Sequence, residues 1–439
     1  MSCSFLSDFV VRVPTSTAQS WHWYARLETG MPHLPPELVL AIFEHAYYTP
    51  HGSPDYIFLA NCSLVCTSWS VPAQSLLFRK AIQLRSHTIA SFHAAVASSA
   101  ARGKFMGHVV RSLDISVGLS LNESCMPDSF AQLLQACPNL YELSLSTYGL
   151  HEFDQFMLAK LKHSGRGIRA LNLLSCGVQS PVLFQLVGIW PHVKFLKIGM
   201  EIAAWPWRHP GETPILRQPR HNGPNTTAKR PVARASLYDL ALTRIPPKHV
   251  LTWLLGSSAS SLRILDLREA PDNVSREILG VHAPHLRSLR LLHFSIGSAA
   301  FVRQCTHLEE FVVYAIPVVV PLAHALPASI KHLSFRNPAH SHRSTLRPIL
   351  DAIEALPKLR MVTCDKSSAQ LRDFEMLKTR CAERGVEVVI SEVPFWVVSP
   401  CVGRKHLVIE SRRLLFLVSM KTPWSWANFH DGAPSRILH

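Results

Sequence analysis

One apolar phrase recurs along most of the chain: an apolar residue, two others, an apolar residue, one other, an apolar residue. It reads Val110, Leu113, Ile115; Leu140, Leu143, Leu145; Ile168, Leu171, Leu173; Val193, Leu196, Ile198; Leu237, Leu240, Leu242; Leu262, Leu265, Leu267; Leu286, Leu289, Leu291; Leu308, Phe311, Val313; Ile330, Leu333, Phe335; and Leu359, Val362, Cys364. Successive first positions stand 30, 28, 25, 44, 25, 24, 22, 22 and 29 residues apart, so all but one step falls in a narrow range. The last two apolar positions of each phrase are two residues apart, the period of a short strand with one buried face.

Between the phrases lie segments with helical apolar spacing. Asp128 or Ser129 is placed to cap a helix carrying Phe130, Leu133 and Leu134. Pro181 and Pro247 suit first-turn positions, where a missing N–H leaves nothing unsatisfied. Pro138, Pro191, Pro284 and Pro357 each stand two residues before the next phrase, a stop signal at a fixed place in the unit. A strand plus a helix in units of 22 to 30 residues is leucine-rich-repeat grammar. No unit buries its apolar face alone, whereas stacked units share one core, so the chain is expected to fold as an α/β leucine-rich-repeat solenoid, a horseshoe, over residues 109–393. The 44-residue step predicts a loop insertion over residues 201–233, which holds Pro206, Pro210, Pro214, Pro219, Pro224 and Pro231, with Trp205 and Trp207 near its start.

A different pattern precedes the repeats. Residues 31–82 contain Leu34, Pro35, Pro36, Glu37 and Leu38, then Ile42 and Phe43, then Leu59, then Leu64, Val65 and Cys66, Trp69, and finally Leu76, Leu77 and Phe78. The spacing places Leu38, Ile42 and Phe43 on one helix face and Leu64, Val65 and Trp69 on another. Leu59 follows Phe43 by 16 positions, and Pro50, Gly52 and Pro54 make Tyr47 to Tyr56 read as an extended loop. A helical module of this size is small for independent stability. Residues 83–108 read as a helical linker or cap and residues 1–30 as a disordered extension. Residues 394–439 read as a tail, a cap or a disordered segment, with two short apolar runs among basic residues.

The L-P-x-E-L opening, the Ile-Phe pair and the L-V-C-x-x-W core of this small all-α module closely resemble the F-box. The resemblance, to fungal F-box proteins with irregular leucine-rich repeats, covers residues 34 to about 392. It implies that Leu34, Pro35, Leu38, Ile42, Phe43, Leu64, Val65, Cys66 and Trp69 bind a Skp-type adaptor, and through it a cullin. On this basis the chain would be the substrate-recognition subunit of a cullin-based (SCF-type) ubiquitin ligase, with the repeats binding an unknown target protein.

Composition narrows the alternatives. With 47% hydrophobic and 17% charged residues, a mean hydropathy of +0.12 is far from that of disordered chains. A net charge of +15 favours acidic partners without naming nucleic acid. The ten cysteines form no C-x-x-C pair and read as reduced core residues of an intracellular protein, in the cytoplasm, the nucleus or both. No targeting signal is evident. The apolar stretch from Phe311 to Ile330 is broken by Pro317, Pro321 and Pro327, so it predicts a strand, a turn and a short helix rather than a membrane span. Histidine pairs such as His340 and His342, or His282 and His285, lack a compact ligand set, and no G-x-S-x-G, H-E-x-x-H or phosphate-cradling glycine loop occurs. The expectation is a non-enzymatic protein without cofactor or metal. A leucine-rich-repeat scaffold, or a binder of acidic ligands unrelated to ubiquitination, is the alternative.

Several of the ten phrases place a cation directly after the first apolar residue, among them Arg169, Lys194, Arg263, Arg287, Lys331 and Arg360. Stacked parallel strands would align these residues into an interrupted stripe, either a solvated face or a reader of an acidic or phosphorylated target segment. The concave surface is expected to carry Glu142, Asp239, Asp266 and Glu310 beside Lys197 and Arg290, a mixed field better suited to protein than to nucleic acid.

Overall fold

The structure is a computed structural model, and it describes residues 34–47, 55–84, 86–98, 100–118, 127–206, 233–316, 320–337 and 345–391. The expectations for 1–30 and 394–439, and for most of 201–233, including Trp207, therefore lie outside the described residues.

Three helices open the described chain: α1 (Pro36–Ala46), α2 (Tyr56–Val65) and α3 (Thr67–Arg79). Proline at the start of α1 costs no helical hydrogen bond. Asp55 caps α2, its carboxylate accepting from Phe58 N–H at 2.9 Å. The loop expected between Tyr47 and Tyr56 lies at 48–54 outside the described residues, and at its described ends Asp55 N–H donates to Tyr47 O at 2.6 Å. Val39, Phe43, Leu59, Cys62, Ala73 and Leu76 form the module's own core. Phe43 meets Phe58 and Trp69 edge-on, at centroid separations of 6.0 and 5.4 Å.

Among the described residues the chain then forms one sheet of twelve strands, all parallel and in sequence order. They are β1 (Lys80–Leu84), β2 (Ser112–Gly118), β3 (Glu142–Tyr148), β4 (Ala170–Ser175), β5 (Phe195–Ile198), β6 (Asp239–Leu242), β7 (Ile264–Leu267), β8 (Ser288–Leu291), β9 (Glu310–Val313), β10 (His332–Phe335), β11 (Met361–Cys364) and β12 (Glu387–Ile390). Every strand expected from the repeated phrase is present. The register aligns the second apolar position of each phrase, pairing Leu113, Leu143, Leu171, Leu196, Leu240, Leu265, Leu289, Phe311, Leu333 and Val362 in turn. All the phrase residues are buried, none above 9% exposed. One strand per unit, added in order to one parallel sheet, is the construction of a leucine-rich-repeat solenoid.

The sheet extends beyond the phrases at both ends. Strand β1 pairs with β2 directly after α3, so the solenoid begins at Lys80 rather than 109. Helices α4 (Ser86–Ala97) and α5 (Ala101–Val109) belong to its first unit, with Ile89, Phe92, Val96 and Met106 in the main core. Phe78 of α3 packs on that same core, joining the module to the solenoid.

The repeat helices are α6 (Pro127–Ala136), α7 (Gln155–Ser164), α8 (Val182–Ile189), α9 (Lys248–Leu255), α10 (Asn273–Gly280), α11 (Ile296–Val302), α12 (Arg347–Ala355) and α13 (Phe374–Glu383). Helix α6 starts at Pro127, so Asp128 lies inside the first turn, where it pairs with Lys160 at 2.7 Å rather than capping. Pro181 and Pro247 stand at the N-cap positions of α8 and α9, one residue earlier than expected. No helix forms among the described residues between β9 and β10. Prolines 321 and 327 lack amide donors, and Leu322, Ala325 and Leu326 are buried from turns instead. Strands β5 and β6 pair in register across the 44-residue step, so the insertion leaves the stack unbroken. Its described ends are packed: Ile202, Ala204 and Ala233 are buried, and Trp205 stacks on His249 at 3.7 Å.

Candidate interaction surfaces

A helix turns 100° per residue, so neighbouring apolar residues on α1 serve different faces. Val39 and Phe43, four apart, point into the module core and are 2% exposed. Leu38 and Ile42, also four apart, are 52% and 51% exposed. The single face expected for Leu38, Ile42 and Phe43 is therefore two faces, and Phe43 is a core residue with no surface to offer. Leu34, Leu38, Ala41, Ile42, His45 and Ala46 line a shallow groove of about 540 Å³. Pro35 and Cys66 are exposed, Trp69 is half-buried against Phe43, and Leu64 and Val65 are exposed at the end of α2. The hydrogen bond with Ser68, 3.1 Å away, lowers the Cys66 thiol below its ordinary value. Sequence reasoning passed over Ala41, His45 and Ala46, although the i, i+3, i+4 series from Leu38 was there to find them.

The cationic stripe lines up as expected, because backbone bonds link equivalent positions from unit to unit. Arg111 N–H donates to Arg79 O, Tyr141 to Arg111, Arg169 to Tyr141, Lys194 to Arg169, Tyr238 to Lys194, Arg263 to Tyr238, Arg287 to Arg263, Glu309 to Arg287, Lys331 to Glu309 and Arg360 to Lys331. The ladder adds Arg79 and Arg111, and its interruptions are Tyr141, Tyr238 and Glu309. Much of the charge is engaged structurally. Arg287 and Lys331 flank Glu309 at 3.0 and 3.1 Å. Arg111 and Arg263 donate to the carbonyls of Asn139 and His285, the same turn position in the following unit. Arg169 bonds carbonyls of its own turn, Arg166 and Ile168. Lys194 and Arg360 are exposed.

On the concave face the expected residues take their places, but not all as solvated charges. Glu310, Arg290 and Asp266 are 3%, 8% and 7% exposed. Glu310 receives Ser288 Oγ at 2.5 Å, with His332 Nδ1 at 3.0 Å and Arg290 Nη2 at 3.7 Å, and His332 Nε2 lies 2.9 Å from Thr363 Oγ1. Burial acts to raise the Glu310 carboxyl, but the His332 contact, the Arg290 charge and the Ser288 bond outweigh it and hold the group down to about 2. At the other end of the face, burial pushes Asp114 up to about 6; nearby Lys80 opposes this and Glu142 adds to it. Glu142 is itself held by Ser112 and Asn172.

Among the described residues no group of three or more His, Cys, Asp or Glu is placed to hold a metal ion, and no helix is long and apolar enough to cross a membrane. Buried cysteines 137, 305 and 364 have thiols pushed up to about 12 by burial, which suits packing rather than nucleophilic use.

The chain matches no protein-family model and no curated protein sequence. Among solved structures it is similar to the leucine-rich repeat-containing protein LegL7 of Legionella pneumophila (14% identity, TM-score 0.39, covering 76% of this chain and 95% of that one). It is also similar to an internalin, inlF, of Listeria monocytogenes (10% identity, TM-score 0.28, 69% and 88% covered) and to internalin C2 of the same organism (13%, 0.22, 69% and 92%). Strand order and in-register parallel pairing define the repeat in this chain.

Proposed function

We propose that this chain is the target-selecting subunit of an SCF-type, cullin-based ubiquitin ligase, acting in the cytoplasm or nucleus. In this reading α1 to α3 are an F-box that docks on a Skp-type adaptor, and the solenoid holds the target protein. The chain supplies proximity while transfer chemistry happens on its partners. One observation carries the reading: Leu34, Leu38 and Ile42 stay exposed on a module whose own core is complete without them. Apolar rows of this kind mark protein contacts, and fully burying one leucine or isoleucine contributes roughly 1.5–3 kcal/mol.

The test is capture of a purified Skp-type adaptor by full-length protein. Leu38→Asp and Val65→Asp are each expected to abolish capture while leaving the melting transition in place. Capture at the wild-type level by either folded variant would remove the F-box reading and leave a leucine-rich-repeat scaffold without a ligase.

A further inference from the structure

Along the rim where the strands begin, one stretch combines cations with aromatic rings. Near β8 to β10 the charge is closed off, since Arg287 and Lys331 both hold Glu309. Between β3 and β7 it is not. Three consecutive backbone bonds, Lys194 N–H to Arg169 O at 2.8 Å, Tyr238 N–H to Lys194 O at 2.7 Å and Arg263 N–H to Tyr238 O at 2.9 Å, set these four residues side by side. Phe195, the first residue of β5, lies between Tyr141 and Tyr238, with ring centroids 6.3 and 5.9 Å away and planes tilted by 48° and 58°. Tyr141 reaches it over the small Ala170, which pairs with Phe195 from β4. All three rings are half-buried, so each keeps part of its surface open.

The polar groups around this trio are oriented without being used up. Arg169 donates from Nη1 to the carbonyls of Arg166 and Ile168, and Arg263 donates from Nη1 to those of Leu262 and His285. Among the described residues, Nε and Nη2 of both arginines and the hydroxyls of Tyr141 and Tyr238 have no hydrogen-bond partner. Burial pushes the Tyr141 phenol up to about 12, with Glu142 adding to the rise and Arg169 opposing it. Burial also pushes Tyr238 up, against Arg263 and Arg287 and with Asp239 adding to the rise. Both phenols therefore stay protonated donors at neutral pH, each in the field of an arginine. Glu142 is turned to the concave face, where its two oxygens accept from Asn172 at 2.8 Å and Ser112 at 3.1 Å.

We propose that this stretch of rim binds an extended acidic segment of a protein target, with two carboxylates about four residues apart and an apolar side chain midway. Arg169 with Tyr141 takes one carboxylate, Arg263 with Tyr238 takes the other, and Phe195 meets the apolar side chain. Arg169 and Arg263 stand three strands apart, about 14 Å at ~4.8 Å per strand, and four extended residues span about 13–14 Å. In an extended segment residues two apart share a face, so both carboxylates and the apolar residue between them point at the rim together. One guanidinium and one phenol at each position match the single charge and two oxygens of a carboxylate. Exposed Lys194 between them adds attraction. A nucleic-acid strand is charged at every residue and gains affinity with each phosphate neutralised, which calls for a long unbroken run of cations; here the run is broken by tyrosines and closed at Glu309. The inference rests on the reading that the solenoid holds the target, and it names the chemistry held there.

Fluorescence anisotropy with the full-length protein tests it, using a labelled glycine-serine peptide that carries Asp-Ser-Leu-Ser-Asp and an isomer that carries Asp-Asp-Ser-Leu-Ser, equal in charge and composition. The spaced peptide is expected to bind about tenfold more tightly than the isomer. Tyr141→Phe with Tyr238→Phe removes only the two hydroxyls, and is expected to bring the two peptides within about twofold at an unchanged melting temperature. Arg263→Gln is expected to do the same. Wild-type protein that binds the spaced peptide but captures no adaptor would strike the ligase reading and leave this one standing. Equal binding of the two peptides or binding of neither would overturn the proposal. So would a spacing preference that persists in the folded double variant, or tighter binding of a single-stranded thymidine oligonucleotide or of the spaced peptide with phosphoserine in place of both aspartates.

Discussion

Two carboxyls on the same concave face behave oppositely because partners outweigh burial at one and burial prevails at the other. Glu310 is drawn down to about 2 from an ordinary 4.5, so its network stabilises the fold fully above the ordinary value and loses that contribution as pH falls towards 2. Glu310→Gln is therefore expected to lower unfolding free energy by about 3 kcal/mol at pH 7, a gap that closes near pH 2. Asp114 is raised to about 6 from 3.8, so the fold favours its protonated form and gives up stability as pH rises from about 4 through 6. Asp114→Asn should stabilise by on the order of 2 kcal/mol at pH 8 and change nothing at pH 3. Urea unfolding of both variants across pH 3 to 8 measures the two slopes, which must have opposite signs. Neither residue was legible as special in the sequence, since each occupies an ordinary polar slot between two core positions. Its environment comes from neighbouring strands 22 to 30 residues away.

Helix α1 shows how an element divides its labour. Phe43 faces Val39, Leu59 and Trp69, and Ile42 beside it faces outwards. Phe43→Ala is expected to cost about 3–5 kcal/mol through the cavity it leaves, and so to lose adaptor capture only by unfolding the module. Ile42→Ala should stay within about 0.5 kcal/mol of wild type in stability and still weaken capture severalfold. Thermal melts paired with pull-downs separate the two. Amphipathic spacing revealed that a helix lies here, but an apolar residue on every face leaves the inward one to be chosen by α2 and α3. Between β9 and β10 the described residues form no helix although helical spacing is present: prolines 321 and 327 favour buried turns, whereas the equally long β8–β9 connection, free of proline, holds α11.

The solenoid as a whole is held by nearest-neighbour contacts, so an insertion between strands is tolerated wherever register survives. Replacing residues 207–232 with a short glycine-serine linker is expected to leave the melting temperature within a few degrees of wild type, because β5 and β6 already pair directly. A large loss of cooperativity would show that the insertion is part of the stack. The charged edge divides similarly. Lys194 and Arg360 are exposed, while Arg287 and Lys331 neutralise Glu309, so Lys194→Glu with Arg360→Glu is expected to reduce capture of an acidic or phosphorylated peptide severalfold and flatten its salt dependence. Arg287→Glu should instead act on stability, setting two carboxylates side by side. The sequence by itself determined the repeat, its phase and all ten phrase strands, because the burial pattern of a short strand is local and each unit restates it. It also marked the stripe, since in-register stacking turns equal sequence positions into neighbours. Only the tertiary structure decided that β1 and β12 join the sheet, since their residues carry no full phrase and take their hydrogen bonds from β2 and β11. It likewise decided that Phe43 turns inwards, that Arg111 and Arg263 bond the next unit's turn, and that Asp266, Arg290 and Glu310 are buried. These depend on what lies across a strand or a helix, which one-dimensional spacing does not encode.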